Sequence, residues 1–134
     1  MTNHEVFFLD DSKDEALLTK IFLRNAKPPV DVVYFHELDE LLTAIESIDE
    51  ERRDPPEAIV VDLNMPVTDG ISSIEALNRI PSLADVPVGV CTGSSDPEDE
   101  KRARKAGAAF FVIKPFDTDK LDEMRKEIRT KSSA

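Results

Sequence analysis

Along this chain the apolar positions fall into two alternating rhythms. Short continuous runs of β-branched and aromatic residues, at 5–9, 32–35, 58–62, 86–92 and 108–113, read as strands covered on both faces. Between them the apolar residues recur at helical spacing: Leu17, Leu18, Ile21 and Phe22, then Leu38, Leu41, Leu42, Ile45 and Ile48, then Ile71, Ile74, Leu77 and Ile80. A weakly apolar helix over 98–106, expected to dock loosely, and a last helix from about 117 with Leu121, Met124 and Ile128 complete the series.

Punctuation agrees with the rhythm. Ser12 followed by Glu15 forms a capping-box pattern, Pro28-Pro29 stops the first helix, and Asp96-Pro97 suits an N-cap and first helical position. The polar stretch 49–57 reads as a surface loop. Five strands alternating with five helices predict an α/β fold: a five-stranded parallel sheet with helices on both faces. Right-handed crossovers favour the flavodoxin-like order 2-1-3-4-5. No repeat or linker interrupts residues 1–134, so a single domain with its core at about 5–130 is expected.

That order sets the carboxyl ends of strands 1, 3, 4 and 5 side by side, where open parallel sheets collect their ligands. The ends carry Asp10 and Asp11, Asp62, Thr92, and Lys114. Gathered carboxylates repel one another, and a single ammonium leaves a deficit of positive charge. An oxygen-rich site of this kind suits Mg²⁺, which also binds phosphate oxygens. A carboxylate, a hydroxyl, an ammonium and a metal together can handle a phosphoryl group.

Charge narrows the partners. Net charge is −11, which disfavours direct contact with nucleic acid. Residues 1–96 hold 7 basic and 20 acidic groups, whereas residues 97–134 hold 10 basic and 8 acidic, so the last third presents a different electrostatic face. No apolar run approaches the roughly 18 residues of a membrane span, and the opening Met1-Thr2-Asn3-His4-Glu5 lacks the pattern of a signal peptide. A cytoplasmic protein without membrane contact is expected. Cys91, the one cysteine, lies inside an apolar strand and reads as a small buried side chain. His4 and His36 fit no ligand or nucleophile spacing.

With the strand ends assembled, the sequence resembles the receiver domain of two-component response regulators over about residues 5–130. The matching features are Asp10-Asp11, Asp62 followed by Asn64, Met65, Pro66 and Gly70, Thr92 thirty residues after Asp62, and Lys114-Pro115-Phe116.

The resemblance implies a stand-alone receiver that accepts a phosphoryl group on Asp62 from a histidine kinase or histidine phosphotransfer protein, promoting its own phosphorylation and dephosphorylation. By the same likeness Asp10, Asp11, Asp62 and Asn64 would hold Mg²⁺, Lys114 and Thr92 would contact phosphoryl oxygens, and Lys114-Pro115 would be cis. Thr92 and Phe111 would form the switch. The output face would be helix 4, strand 5 and helix 5, with Lys101, Arg102, Arg104, Lys105, Arg125 and Arg129, read by a downstream protein or by self-association. Gly93 stands where many receivers carry Ala, which opens the site to water.

Three other readings compete. A phosphorylation-independent receiver-like binding module shares the fold. A haloacid-dehalogenase-type phosphatase would need an acid at Asn64. A flavodoxin-like cofactor binder would need a phosphate loop where the acidic pair stands.

Overall fold

The computed structural model describes residues 4–63 and 69–132. Strands β1 (Glu5–Leu9), β2 (Asp31–Phe35), β3 (Ala58–Val61), β4 (Val88–Thr92) and β5 (Phe111–Ile113) alternate with helices α1 (Lys13–Arg24), α2 (Leu38–Glu51), α3 (Gly70–Asn78), α4 (Pro97–Lys105) and α5 (Thr118–Ser132). The strands form one parallel sheet in the order β2-β1-β3-β4-β5, the expected arrangement.

Alternation along each strand splits the core between the two faces of the sheet. Phe7, Leu9, Ile59, Val61, Val88 and Val90 meet Leu41, Ile45, Ile48, Ile74 and Leu77 from α2 and α3. On the other face Val6, Phe8, Val60, Cys91, Phe110 and Val112 meet Leu23 of α1 and Leu121 and Met124 of α5. Gly89 serves this second layer, because a Cβ there would stand 2.5 Å from the Phe110 ring. The ring lies flat across β4 only because that strand offers no side chain at this point. Cys91 is buried as expected, and burial pushes its thiol up to about 12. Among the described residues no helix is long and apolar enough to cross a membrane.

Several local expectations are corrected. Helix α2 runs on to Glu51, three residues into the anticipated loop, and ends where Arg52 adopts a left-handed conformation with φ 54°. Helix α3 stops at Asn78, and a 3-10 turn at Pro81–Leu83 follows, so Ile80 lies outside the helix. The α1 face also differs. The buried residues of that helix are Ala16, Thr19 and Leu23, while Leu17, Leu18 and Ile21 are 61 %, 50 % and 44 % exposed. Thr19 is drawn inward because its Oγ1 accepts a hydrogen bond from the Tyr34 hydroxyl at 3.1 Å, satisfying a phenol that burial would otherwise leave unpaired. Helix α4 docks lightly as anticipated, with Ala103 its one buried residue. Its N-terminus follows the pattern too, Asp96 accepting from the Glu98 N–H at 3.0 Å.

Candidate functional site

Register brings the site together before any side chain is considered. Leu9 pairs with Val61, so Asp10 and Asp62 leave the sheet at the same level. The Asp10 N–H donates to the Phe35 carbonyl and the Asp62 N–H to the Leu9 carbonyl, both at 3.0 Å, fixing the two backbones just beyond the ladder. Thr92 pairs with Ile113, and the Lys114 N–H donates to the Thr92 carbonyl at 2.9 Å. The peptide bond between Lys114 and Pro115 is cis.

The Lys114 ammonium is the hub. Its Nζ lies 2.9 Å from Asp62 Oδ2 and 3.2 Å from Asp10 Oδ2, and it also pairs with Glu15 Oε2. Asp10 and Asp62 are buried, at 4 % and 5 % exposure, while the Glu15 side chain on α1 is 41 % exposed. Burial alone would weaken the charge on Lys114, but hydrogen bonds to Glu15 and Asp62 and the field of Asp10 hold it above the usual lysine range. Asp10 responds oppositely. Burial lifts its carboxyl to about 6 and the Asp62 charge adds to the rise, against the opposing pull of the Ser12 N–H and Lys114. Three carboxylates facing one ammonium thus leave Asp10 short of countercharge.

Glu15 is the site residue that sequence reasoning missed. Its backbone plays the expected capping part, the N–H donating to Ser12 Oγ at 3.3 Å. The reciprocal half of the box does not form with Glu15, because Asp10 Oδ1 takes the Ser12 N–H at 3.0 Å. The Glu15 carboxylate is turned to Lys114 instead. One turn after the acidic pair, on the helix that the pair introduces, an acid can reach the strand ends, and that spacing was the available signal.

Among the described residues Asp10, Glu15 and Asp62 each offer a carboxylate oxygen within 4.8 Å of the others, so three hard donors converge as a divalent cation requires. Asp11 does not join that close set. It is exposed and lines the same cleft, of about 290 Å³, together with Ser12 and Gly93. Asn64, Met65 and Pro66 lie outside the described residues. A methyl added at Gly93 would meet nothing within 4 Å.

Thr92 is fully buried at the end of β4, and its Oγ1 accepts the Ser94 N–H at 3.3 Å. Phe111, opposite Val90, is half-buried against the layer containing α3 and α4. His36 has a structural part, its Nδ1 donating to the Asp10 carbonyl at 3.0 Å. Beneath α1 a second, mostly apolar hollow of about 290 Å³ opens onto the same acidic groups; Phe8, Phe22, Tyr34 and Phe116 are among its walls.

The basic face expected on the last third is largely engaged within the chain. Arg104 pairs with Glu100 and with Glu127 of α5, Arg125 makes a two-point contact with Glu57, and Lys101 and Arg102 face Glu98 and Asp99 at 3.8 Å. Pairing has therefore taken up much of the positive charge that composition suggested.

A parallel sheet of this order, with a buried aspartate at the end of its central strand and an acidic pair and a lysine beside it, defines a class of protein. The model for the response regulator receiver domain matches residues 6–126, and the chain belongs to that family, whose members act in two-component signalling. It is 25 % identical to the chemotaxis protein CheY of Halobacterium salinarum over 126 residues, covering 94 % of this chain and 97 % of CheY. The transcriptional regulatory protein PrrA of Mycobacterium tuberculosis is 44 % identical over 61 residues, which is 46 % of this chain but only 25 % of PrrA. Among solved structures, CheY4 of Vibrio cholerae superposes with a TM-score of 0.73 at 21 % identity, covering 95 % of this chain and 99 % of that one.

Proposed function

We propose that this protein is a phosphoacceptor whose Asp62 takes a phosphoryl group from the histidine of a kinase or phosphotransfer protein, in the cytoplasm, and so switches a protein-binding surface. The observation that carries the reading is Asp62 itself, a carboxylate buried at a strand end and held 2.9 Å from a lysine ammonium. Burying such a pair without a purpose is costly.

An Asp62 carboxylate oxygen attacks phosphorus and forms the P–O bond of an acyl phosphate. The P–N bond to the donor imidazole breaks, and the imidazole leaves with the electron pair, protonated at its other ring nitrogen. Lys114 neutralises a phosphoryl oxygen, and the Thr92 hydroxyl donates to another. Asp10 and Asp62 would hold Mg²⁺, with the Glu15 carboxylate within reach beside them, Asp11 at the rim and Asn64 as a further donor. Bound there, the ion supplies charge neutralisation for the transferred group. Thr92 and Phe111 lie on neighbouring strands, so a shift of the hydroxyl toward the phosphoryl group reaches Phe111 and the α4–β5–α5 face. The exposed Leu17, Leu18 and Ile21 on α1, beside the cleft, suit docking of the donor protein.

Intact-protein mass after incubation with acetyl phosphate tests the reading. A Mg²⁺-dependent gain of one phosphoryl group, lost in Asp62→Asn, is expected. No gain under any condition would overturn it and leave a phosphorylation-independent binding module.

A further inference from the structure

The Lys114 ammonium donates hydrogen bonds to Asp62 and Glu15, and Asp10 lies 3.2 Å from it as a third ion-pair partner. A phosphoryl oxygen seeking Lys114 therefore approaches an ammonium already ringed by three carboxylates and competes with them for it. Asp10 and Asp62 are fixed at the sheet ends at 4 % and 5 % exposure, so neither carboxylate can turn out into water. Glu15 is different. It stands on α1, its side chain is 41 % exposed, and rotation about its own bonds carries the carboxylate into water.

We infer that Glu15 is a built-in competitor for Lys114: it holds the ammonium in the unphosphorylated protein and opposes entry of the phosphoryl group until it swings away. The inference rests on the phosphoacceptor reading and assigns Glu15 a positioning role, since it acts through Lys114. Two effects of the carboxylate have the same sign. It occupies a donor that the incoming group needs, and its negative charge, among donors within 4.8 Å of one another, repels an incoming phosphoryl group. Toward a divalent cation the same charge is attractive. Removing it should therefore tighten the phosphoryl group and loosen the metal, a pairing of opposite signs that a loss of packing or of helix capping would not give. Capping is untouched in any case, because Ser12 Oγ accepts from the Glu15 backbone.

The test is calorimetric titration of the full chain with Mg²⁺ alone and then, at saturating Mg²⁺, with beryllofluoride as the phosphoryl mimic. Wild type, Glu15→Gln and Glu15→Ala are compared at low and high salt. Both variants should bind beryllofluoride about threefold to tenfold more tightly than wild type and Mg²⁺ more weakly, with both differences shrinking as salt rises. Beryllofluoride affinity that is unchanged or weaker in both variants overturns the competitor role. Loss of Mg²⁺ binding in both variants also overturns it, in favour of an indispensable metal ligand. Wild type that takes Mg²⁺ but no beryllofluoride overturns the phosphoacceptor reading itself, a result distinguishable from the others because it does not depend on Glu15.

Discussion

Replacing Asp10 by Asn should make the metal-free protein more stable at neutral pH even though it removes a contact to Lys114. In the folded chain the Asp10 carboxyl is lifted from 3.8 to about 6, chiefly by burial. Between those two values the folded protein holds a proton that the unfolded chain has released. The stability this group contributes is therefore complete below about pH 4 and is lost as pH rises through about 6. Two pH units at about 1.4 kcal/mol each give about 3 kcal/mol, the cost of keeping Asp10 ionised in its buried setting.

Asn keeps the Oδ1 acceptor for the Ser12 N–H and has no charge to strand. Urea unfolding in chelator-treated buffer, followed by circular dichroism, measures the comparison. The stability of the variant minus that of wild type should climb by about 2–3 kcal/mol between about pH 4 and pH 8. Added Mg²⁺ should then stabilise wild type selectively, by mass action on the folded state. A difference that stays flat with pH would refute the argument, because it would mean that Asp10 titrates alike in both states.

Further expectations follow from single contacts. Gly89→Ala places a methyl 2.5 Å from the Phe110 ring, so thermal unfolding should show a loss of about 1–3 kcal/mol, partly recovered in the double variant with Phe110→Leu. Arg125→Met leaves the largely buried Glu57 carboxylate without its two-point partner, and denaturant midpoints should report about 1–3 kcal/mol of destabilisation. Gly93→Ala adds a methyl in open space. Its stability should stay within about 0.5 kcal/mol of wild type, while the acyl phosphate, timed by decay of the phosphorylated mass, should last longer as water is excluded.

What the sequence made legible was whatever depends on strand ends. Asp10, Asp62, Thr92 and Lys114 could be placed because each closes an apolar run, and in a parallel sheet of known order those ends are neighbours by construction. Helix faces were harder. The apolar repeat on α1 pointed to Leu17, Leu18 and Ile21, yet the buried side chains are Ala16, Thr19 and Leu23, because a Thr–Tyr hydroxyl pair inside the protein leaves no mark in a hydropathy pattern. Glu15 escaped for a related reason. At the third position of a helix an acid is explained by capping, and only the lysine 99 residues away shows the second use. On the last third, composition revealed the surplus of positive charge but not its pairing partners, which come from α4 itself, from α5 and from the residue before β3.

The hollow beneath α1 bears on how the molecule responds to compression. Hydrostatic pressure favours states with less poorly packed space, and this helix is seated beside a partly open hollow of about 290 Å³ with three buried side chains to hold it. Under pressure α1 should settle toward Tyr34 and Phe116 before the sheet is disturbed. In spectra recorded over a pressure series, the amides of α1 would then shift along curved paths while those of β3 move linearly. The acidic cluster borders that hollow, so compression of α1 would also shift the helix that carries Glu15.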